Sequence, residues 1–356
     1  MSIRLVTIIG TRPEIIKMSR LIPLLDKGFD HNLVYTNQHY SEDMCGVFFK
    51  ELGVRKPDFF LNTNSSDVAN LTNDIRKKLQ DLQPDYTIVY GDTNSSLAAA
   101  RAAKSVGSKI IHIEAGLRCY DERVPEEINR IEIDKISDYY FTPTELVKGF
   151  LKKEGIVNNI HVVGNTVVDA CLNYLPKAGK SNIIERLGLS NNFILFTAHR
   201  QENVDNLSRL SRIIEIFSRI SLPVVYPIHP RTKTMLKQFN LKLPDHVLTI
   251  DPVGYLDFLK LLKECSLVLT DSGGVQEEAI TLKTPCLTIR ESTERWETIL
   301  SGGNFLVGIE PRLVSYKTKF VLETDMKDRI KNIKNPYGIG DTSKQICDIL
   351  TKKILI

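Results

Sequence analysis

Short apolar runs rich in Val and Ile alternate with helical patterns along most of the chain, and the alternation restarts once. The strand predictions are residues 4–9, 32–36, 86–90, 109–113, 139–142 and 160–163, and then 193–197, 223–228, 247–250, 266–270, 285–289 and 304–307. The helix predictions include residues 67–82, 93–105, 126–137, 206–219 and 255–263. Continuous apolar strands separated by helices are typical of parallel sheets covered on both faces. The sequence therefore predicts an α/β protein with two doubly wound, Rossmann-like domains facing each other across a cleft.

A segment rich in Pro, Lys, Gly, Ser and Asn separates the two series of strands. We expect a linker over residues 175–192, with an N-terminal domain over 1–174 and a C-terminal domain over 193–338. The tail over 339–356 is predicted as a helix, with Asp341 as its N-cap. The sequence alone does not decide on which domain this helix packs.

The composition excludes several classes of protein. The chain has 356 residues, 42% apolar and 25% charged, which suits a globular protein of two domains. Its net charge is +4 and its basic residues are dispersed, so no nucleic-acid surface is expected. There is no secretory signal pattern, and no apolar run approaches the roughly 18 residues that span a bilayer. The six cysteines lack metal spacing, which predicts free thiols in the cytoplasm and no metal site.

A glycine pair follows the strand predicted at 266–270. Ser272 is placed to cap the next helix, and Gly273 and Gly274 lack a Cβ, so a phosphate could reach the backbone amides at the positive helix end. Glu278, about one turn further, could accept hydrogen bonds from a ribose diol. The alternative is a plain capped helix with surface acids, because short Gly-containing turns are common.

Charged and small residues follow nearly every strand whose carboxyl end should face the cleft, where open parallel sheets bind ligands. In the first half these are Gly10-Thr11-Arg12-Pro13-Glu14 with Lys17, Gly91-Asp92-Thr93, Glu114 through Arg118, and Pro125-Glu126-Glu127. In the second half they are His199 through Asn203, His229-Pro230-Arg231 and Asp271 through Gly274.

The acids of the first half differ in how strongly they indicate function. Glu114 ends an apolar run, so it should be partly buried, and burying a carboxylate without purpose is costly. Asp92 could equally cap the helix that follows it. Glu126 is equally well explained by the dipole at a helix start.

Among the basic residues, Arg12 at a helix start forms an anion cradle, although Pro13 at the first turn is also an ordinary helix start. His199 follows a strand tip beside other polar residues, which favours a catalytic or binding role, whereas His112 between isoleucines is interpreted as a core histidine. A Gly-x-Gly-x-x-Gly dinucleotide motif, a phosphate loop and a Gly-x-Ser-x-Gly elbow are missing. With these motifs excluded, the chain still offers several acids and two anion-binding helix starts. This combination suits general acid/base catalysis on a nucleotide-linked substrate.

Taken together, the motifs resemble those of the non-hydrolysing UDP-N-acetylglucosamine 2-epimerases over nearly the whole chain. Each motif is short, but the set in this order and spacing is specific. The motifs are Gly10-Thr11-Arg12-Pro13-Glu14 through Lys17; Gln38-His39; Gly91-Asp92-Thr93; His112 through Arg118; Pro125 through Arg130; Val163-Gly164-Asn165-Thr166; His199-Arg200 with Glu202-Asn203; Asp271 through Glu278; and Thr293-Glu294-Arg295.

The resemblance implies a GT-B-like pair of Rossmann-like domains, with the nucleotide held mainly by the second and the C-terminal helix returning to pack on the first. It implies an isomerase that uses no cofactor and no obligatory metal, and a cytoplasmic homodimer. The reaction would invert C2 of a UDP-linked N-acetylhexosamine by eliminating UDP to a 2-acetamidoglucal and adding it back. Besides the UDP-sugar, neither nucleic acid nor a membrane is an expected partner.

The resemblance also implies roles for individual residues. The catalytic residues would be Asp92, Glu114, Glu126 and His199. The substrate- and UDP-binding residues would be Arg12, Lys17, Arg118, Arg200, Glu202, Asn203, His229, Arg231, Phe258, Ser272, Gly273, Gly274, Glu278 and Arg295, with Glu278 on the ribose. Which carboxylate serves which face of C2 stays open.

Several positions depart from the family pattern. Trp296 stands where Pro commonly follows Thr-Glu-Arg, Tyr90 precedes the Gly-Asp-Thr motif, and Tyr40-Ser41 follow the Gln-His pair. The last change argues against activation by a second substrate molecule. The substrate stays open between UDP-GlcNAc, UDP-2,3-diacetamido-uronic acid and UDP-linked 2-acetamido-2,6-dideoxy sugars, and a GT-B glycosyltransferase and a hydrolysing epimerase are further alternatives.

Overall fold

The computed structural model describes residues 3–36, 48–61, 63, 67–190, 192–324 and 326–354. The chain divides into two compact units, one formed by Met1–Ala170 with Tyr337–Ile356 and the other by Cys171–Pro336. The division falls at residue 170, inside a helix, where the sequence predicted a domain limit at 174. The segment predicted as a linker contains the end of helix Thr166–Ala178 and the short helix Ile183–Arg186.

The first unit contains a seven-stranded sheet in the order β3-β2-β1-β4-β5-β6-β7, with parallel pairing throughout. Its strands are β1 (Arg4–Ile9), β2 (Asp30–Tyr35), β3 (Phe59–Phe60), β4 (Tyr86–Tyr90), β5 (Lys109–Ile113), β6 (Tyr139–Thr142) and β7 (Ile160–Val162). From β1 the chain first adds strands on one side of the sheet and then, from β4 onward, on the other side. The boundary between β1 and β4 is therefore the topological switch point, where doubly wound sheets bind ligands.

The second unit repeats this plan with a six-stranded parallel sheet in the order β10-β9-β8-β11-β12-β13. Its strands are β8 (Ile194–Thr197), β9 (Val224–Pro227), β10 (Val247–Ile250), β11 (Leu267–Thr270), β12 (Cys286–Thr288) and β13 (Asn304–Leu306). Its switch point lies between β8 and β11. The predicted fold class of two doubly wound parallel sheets is confirmed, and the short strand β3 was missed.

Helices alternate with these strands. Those of the first unit are Arg12–Met18, Ile22–Gly28, Val68–Leu82, Asn94–Ser105, Pro125–Ile136, Glu145–Lys153 and Thr342–Ile354, and Thr166–Ala178 crosses the division. Those of the second unit are Ile183–Arg186, Gln201–Val204, Leu207–Ser218, Pro230–Gln238, Tyr255–Glu264, Gly273–Leu282, Trp296–Leu300, Pro311–Glu323 and Met326–Lys331.

Helix Val68–Leu82 shows why these segments fold as they do. The side chain of Asp67 accepts a hydrogen bond from the Asn70 amide at 2.9 Å, which starts the helix. Leu71, Ile75 and Leu79 then recur at every fourth position and are fully buried. One apolar stripe therefore packs on the sheet while the remaining faces stay polar.

The C-terminal helix Thr342–Ile354 belongs to the first unit, as the resemblance implied. Its first amides are capped from another helix, since the carboxylate of Asp169 accepts from Thr342 N at 3.1 Å and Ser343 N at 2.6 Å. Asp341 directly precedes the helix, as predicted for its N-cap, and its backbone oxygen accepts from Gln345 N at 3.0 Å, while its carboxylate accepts from the Gln345 side chain at 2.9 Å. A carboxylate at this positive helix end stabilises the return of the chain to the first unit.

Among the described residues, no helix is both long and apolar enough to cross a bilayer. Five of the six cysteines lie in the described part of the chain and are free thiols.

Candidate functional site

Glu114 directly follows β5, and several side chains hold its carboxylate. Its side chain is 4% exposed, and its carboxylate Oε2 lies 2.6 Å from the ammonium of Lys17. The same oxygen accepts from Tyr90 Oη at 2.9 Å and from Asn165 Nδ2 at 2.9 Å. The backbone of Glu114 has φ 67°, a left-handed conformation that costs a non-glycine residue about 1 kcal/mol or more.

Asp92 follows β4 and is held by an arginine of the neighbouring helix. Arg130 reaches Asp92 Oδ2 through Nε at 3.0 Å and Nη2 at 2.5 Å. The helix start after β4 is capped by Thr93, whose hydroxyl accepts from Ser96 N at 3.1 Å. Asp92 is therefore not the helix cap that the sequence allowed, and its side chain remains 21% exposed.

The adjacent acids Glu126 and Glu127 lie in different environments. Glu127 is buried, accepts from the amides of Cys119 and Tyr120 at 2.9–3.0 Å, and forms a short ion pair with Arg130. Glu126 is half-buried in the first turn of helix Pro125–Ile136. Glu127 thus anchors the preceding loop and Arg130, whereas Glu126 is the more accessible carboxylate.

Glu14 ties the ends of β1 and β4 together. Its carboxylate accepts from the amides of Gly10 and Thr11 at 2.6–2.7 Å and from the hydroxyls of Thr93 and Ser96 at 2.7–3.0 Å. Burial raises the pKa of Glu14, although these donors oppose the shift. The two loops on either side of the first switch point are consequently held as one unit.

Two of the predicted binding residues of the first unit lie at this end of the sheet. Arg12 is half-buried, with its guanidinium carbon 5.3 Å from the ring centroid of Phe48. Lys17 is buried against Glu114 rather than facing solvent. The predicted Gln38-His39 and Tyr40-Ser41 positions lie outside the described residues.

Arg118, predicted to bind substrate, is fully buried in the protein. Its guanidinium contacts Asp134 at 2.7 Å and Glu154 at 2.6 Å. His112, also fully buried as expected of a core histidine, contacts the other oxygen of Asp134 at 2.8 Å. We therefore assign Arg118 to the support of Asp134 and not to substrate contact, because its guanidinium is buried and its donors face the buried Asp134 and the more exposed Glu154.

In the second unit, the buried carboxylate of Asp271 organises the loop after β8. Asp271 Oδ2 accepts from the amides of His199 at 3.1 Å and Arg200 at 3.0 Å, and from Asn203 Nδ2 at 3.0 Å. The imidazole of His199 is 54% exposed and lies 3.4 Å from Asp271. Glu202 is half-buried in the same turn. The strand ends on both sides of the second switch point are thereby joined, with His199 turned outward.

The glycine pair after β11 starts helix Gly273–Leu282, as predicted, but Ser272 makes no side-chain capping hydrogen bond. Thr270 Oγ1 instead accepts from Ser272 N at 3.0 Å. Arg295 is buried beside this helix start, 2.6 Å from Glu277 and 3.8 Å from Glu294. A cation and a positive helix end therefore occur together, which suits an anion.

Gly273→Ala is expected to destabilise the protein, because the added Cβ would lie 2.6 Å from Glu294 Oε1. That carboxylate cannot withdraw easily, since it is 3% exposed and pairs with Arg290 at 3.0 Å. We expect a loss of about 1–3 kcal/mol in the free energy of unfolding, measured by urea denaturation without nucleotide. Gly274→Ala is the matched control, since its Cβ would meet no described atom within 4 Å. Equal losses in both variants would contradict this expectation.

The remaining predicted residues of the second unit differ in burial. His229 is exposed at the start of helix Pro230–Gln238, and Arg231 forms a short ion pair with Asp205. Phe258 is half-buried in helix Tyr255–Glu264. Glu278 is buried and hydrogen-bonds to Tyr255, whose hydroxyl also lies 3.5 Å from Cys171 Sγ.

Sequence reasoning missed three side chains that shape the first-unit site: Tyr90, Asn165 and Arg130. Tyr90 is the last residue of an apolar strand, and nothing in that pattern indicates a side chain that contacts the site. Asn165 and Arg130 stood in recognised motifs, but no pattern connected them to a particular carboxylate. Nowhere in the described part of the chain do three or more His, Cys, Asp or Glu side chains group so that they could hold a metal ion.

The fold places the chain in the class of α/β proteins built from two Rossmann-like units. A Rickettsia africae glycosyltransferase shares this fold with a TM-score of 0.58 at 14% identity. The family model described as UDP-N-acetylglucosamine 2-epimerase matches residues 25–351. The chain belongs to this family.

The similarity to relatives extends over nearly the whole chain. It is similar to a UDP-N-acetylglucosamine 2-epimerase of Methanocaldococcus jannaschii, 45% identical over 98% of this chain and 99% of the relative. It is also similar to a UDP-2,3-diacetamido-2,3-dideoxy-D-glucuronate 2-epimerase of Pseudomonas aeruginosa, 38% identical over 98% and 99%. A crystal structure of the M. jannaschii enzyme in complex with UDP-GlcNAc and UDP superposes with a TM-score of 0.92 at 44% identity, covering 98% of this chain and 100% of that one.

Proposed function

We propose that this protein is a UDP-N-acetylglucosamine 2-epimerase that interconverts UDP-GlcNAc and UDP-ManNAc. The observation that carries the proposal is the buried Glu114 carboxylate at a strand end, paired with Lys17 at 2.6 Å, in a chain 45% identical to a relative of that name. A carboxylate held by a cation at a strand end suits proton transfer, whereas simple binding of a nucleotide-sugar does not require one there.

The chemistry divides between leaving-group departure and proton transfer. The C2 proton is weakly acidic, so departure of UDP from C1 must contribute much of the driving force, and C2 then receives a proton on its opposite face. Two faces require separate proton-transfer groups, which Asp92, Glu114 and Glu126 supply in this proposal. The acid that faces the C2 proton removes it, and an acid on the opposite face of the sugar delivers the new proton.

The second unit is proposed to bind UDP. The amino end of helix Gly273–Leu282, together with Arg295 and His199, would stabilise the negative charge that develops on the leaving pyrophosphate. Arg12 of the first unit would add to this stabilisation. Glu278, buried and hydrogen-bonded to Tyr255, would accept from the ribose hydroxyls. Arg200, Glu202, Asn203, His229, Arg231 and Phe258 complete the proposed set of nucleotide-binding residues.

The P. aeruginosa relative supports a second candidate, 2-epimerisation of a UDP-2,3-diacetamido-uronic acid. That substrate carries a carboxylate at C5 and an acetamido group at C3. Turnover numbers with the two UDP-sugars, measured side by side, decide which one this chain uses.

Deuterium incorporation tests the proposed reaction. Incubation with UDP-GlcNAc in D2O should yield UDP-ManNAc carrying deuterium at C2, because the group that protonates the opposite face carries a deuteron taken from the solvent. Proton NMR measures both the product ratio and the C2 signal. Turnover without C2 exchange would exclude the mechanism, and stoichiometric release of free UDP with ManNAc would indicate a hydrolysing epimerase. Product formed without any acceptor excludes a glycosyltransferase.

We further propose that the protein acts as a cytoplasmic homodimer that supplies an activated sugar for polysaccharide biosynthesis. Family resemblance supports this proposal. Light scattering of the purified protein tests the dimer directly.

A further inference from the structure

Tyr90 is the last residue of β4 and is buried, with an exposed fraction of 2%. Its hydroxyl lies 2.9 Å from Glu114 Oε2, 3.0 Å from Thr166 Oγ1 and 3.2 Å from Asn165 Oδ1. A phenol has a single proton to donate, and an ionised carboxylate is the strongest of these three acceptors. The Tyr90 proton therefore belongs to the hydrogen bond with Glu114.

Asn165 completes the arrangement from the other side. Its Nδ2 donates to Glu114 Oε2 at 2.9 Å, while its Oδ1 accepts from the Val167 amide at 3.0 Å. The amide orientation of Asn165 is thus set by the start of helix Thr166–Ala178. One carboxylate oxygen consequently receives an ammonium, a phenol and an amide donor, each of which favours the ionised form of the acid.

Tyr90 also influences the other partners of this oxygen. The ammonium of Lys17 lies 5.4 Å from the centroid of the Tyr90 ring, so the ring face attracts the same cation that pairs with Glu114. Glu114 adopts φ 67°, and a strained residue persists only when its surroundings hold it. The side chain of Tyr90 therefore influences both the charge and the orientation of the Glu114 carboxylate.

We propose that Tyr90 is a positioning residue that keeps Glu114 ionised and oriented, so that Glu114 begins each turnover as a proton acceptor. This inference rests on the proposed epimerase function and deepens it by assigning Glu114 the role of the base. The proton moves from C2 to the Glu114 carboxylate, and its electron pair forms the C1–C2 double bond as UDP departs with the electrons of the C1–O bond. The hydrogen bond from Tyr90 weakens as Glu114 becomes neutral.

Replacing Tyr90 with Phe tests the proposal. Loss of one donor to a charged acceptor should lower kcat roughly 10- to 100-fold, while the Kd for UDP changes less than about twofold. The acidic limb of the kcat profile should move to higher pH, because the carboxylate accepts a proton more readily without the phenol. Tyr140→Phe is the matched control, since that buried tyrosine donates to backbone oxygens of Asp134 and Ser137 and not to Glu114.

A second readout does not depend on turnover. Carbon-13 NMR of glutamate-labelled protein, with Glu114 assigned by Glu114→Gln, should show Glu114 protonating at higher pH in Tyr90→Phe than in the wild type. Should Tyr90→Phe fail to fold, 3-fluorotyrosine at position 90 keeps the packing and strengthens the donor, so the titration should move to lower pH.

The proposal is overturned if Glu114 titrates at the same pH in Tyr90→Phe as in the wild type. It is also overturned if the kcat of Tyr90→Phe equals that of Tyr140→Phe, or if Tyr90→Phe loses UDP affinity in parallel with kcat. Failure of the wild type to exchange C2 deuterium refutes the epimerase function, whereas the NMR titration decides separately whether Tyr90 controls the charge of Glu114.

Discussion

Glu114→Gln is expected to abolish epimerisation while binding of UDP survives. A carboxamide cannot take a proton from C2, and loss of a positioned acid/base group typically lowers the rate by about 10²- to 10⁴-fold. The amide nitrogen could also face the Lys17 ammonium, which lies 2.6 Å from Glu114 Oε2 in the wild type. Reaction rates come from NMR of UDP-GlcNAc in D2O, and UDP affinity comes from calorimetry.

Glu122→Gln is the matched control for this prediction, because it makes the same chemical change at an exposed position. It should leave the rate and the stability near wild type. Lys17 loses its buried partner in Glu114→Gln, so the melting temperature of that variant has to be measured as well. A Glu114→Gln protein that is folded and epimerises at more than about a tenth of the wild-type rate would contradict the assignment.

Asp134→Asn is expected to cause the largest loss of stability. Asp134 is fully buried between His112 at 2.8 Å and Arg118 at 2.7 Å. The Nε2 of His112 faces the Gly91 carbonyl oxygen at 2.9 Å, which only accepts, so this nitrogen carries a proton. The Nδ1 faces the Asp134 carboxylate at 2.8 Å, so His112 and Arg118 share one buried carboxylate.

Removal of the Asp134 charge would leave the buried Arg118 guanidinium without its fully buried anion and would disturb the hydrogen bond with His112. Breaking a buried ion pair from one side typically costs about 3–5 kcal/mol, and we expect a loss of that size in the free energy of unfolding. Urea denaturation at neutral pH measures it. The control is Asp81→Asn, a carboxylate 70% exposed in a surface ion pair with Lys78, which should change stability by less than about 1 kcal/mol.

The pH dependence of this contribution has a definite sign. Burial raises the pKa of Asp134, but the charge of His112 and the hydrogen bonds from His112 and Arg118 outweigh it, so the pKa lies below its ordinary value. A lowered folded-state pKa contributes stability above the ordinary carboxyl pKa of about 4, and this contribution is lost as the pH falls through the folded-state value. The stability gap between wild type and Asp134→Asn should therefore narrow on acidification. A gap that widens would contradict an ionised Asp134.

Strand and helix positions were largely predictable because buried parallel strands and amphipathic helices leave strong periodic signals in a sequence. Strand β3 was missed because it contains two residues and derives its order from pairing with β2. The helices at residues 166–186 were obscured by Pro and Gly, which usually indicate loops. Local composition could not reveal that the second unit begins at Cys171, inside the first of these helices.

Within the candidate site, the sequence by itself determined which chemical groups stand at the strand ends, because each motif directly follows its strand in the sequence. Asp92, Glu114, Asp271 and the glycine pair were all located in this way. Only the tertiary structure decided the partner of each group. Arg118 and Lys17 were predicted alike as ligands of substrate, yet one supports Asp134 and the other pairs with Glu114. The partners in these two pairs lie 16 and 97 positions apart in the chain, so local sequence patterns do not connect them. Once a charged side chain is buried, its partner determines its role more than its residue type does.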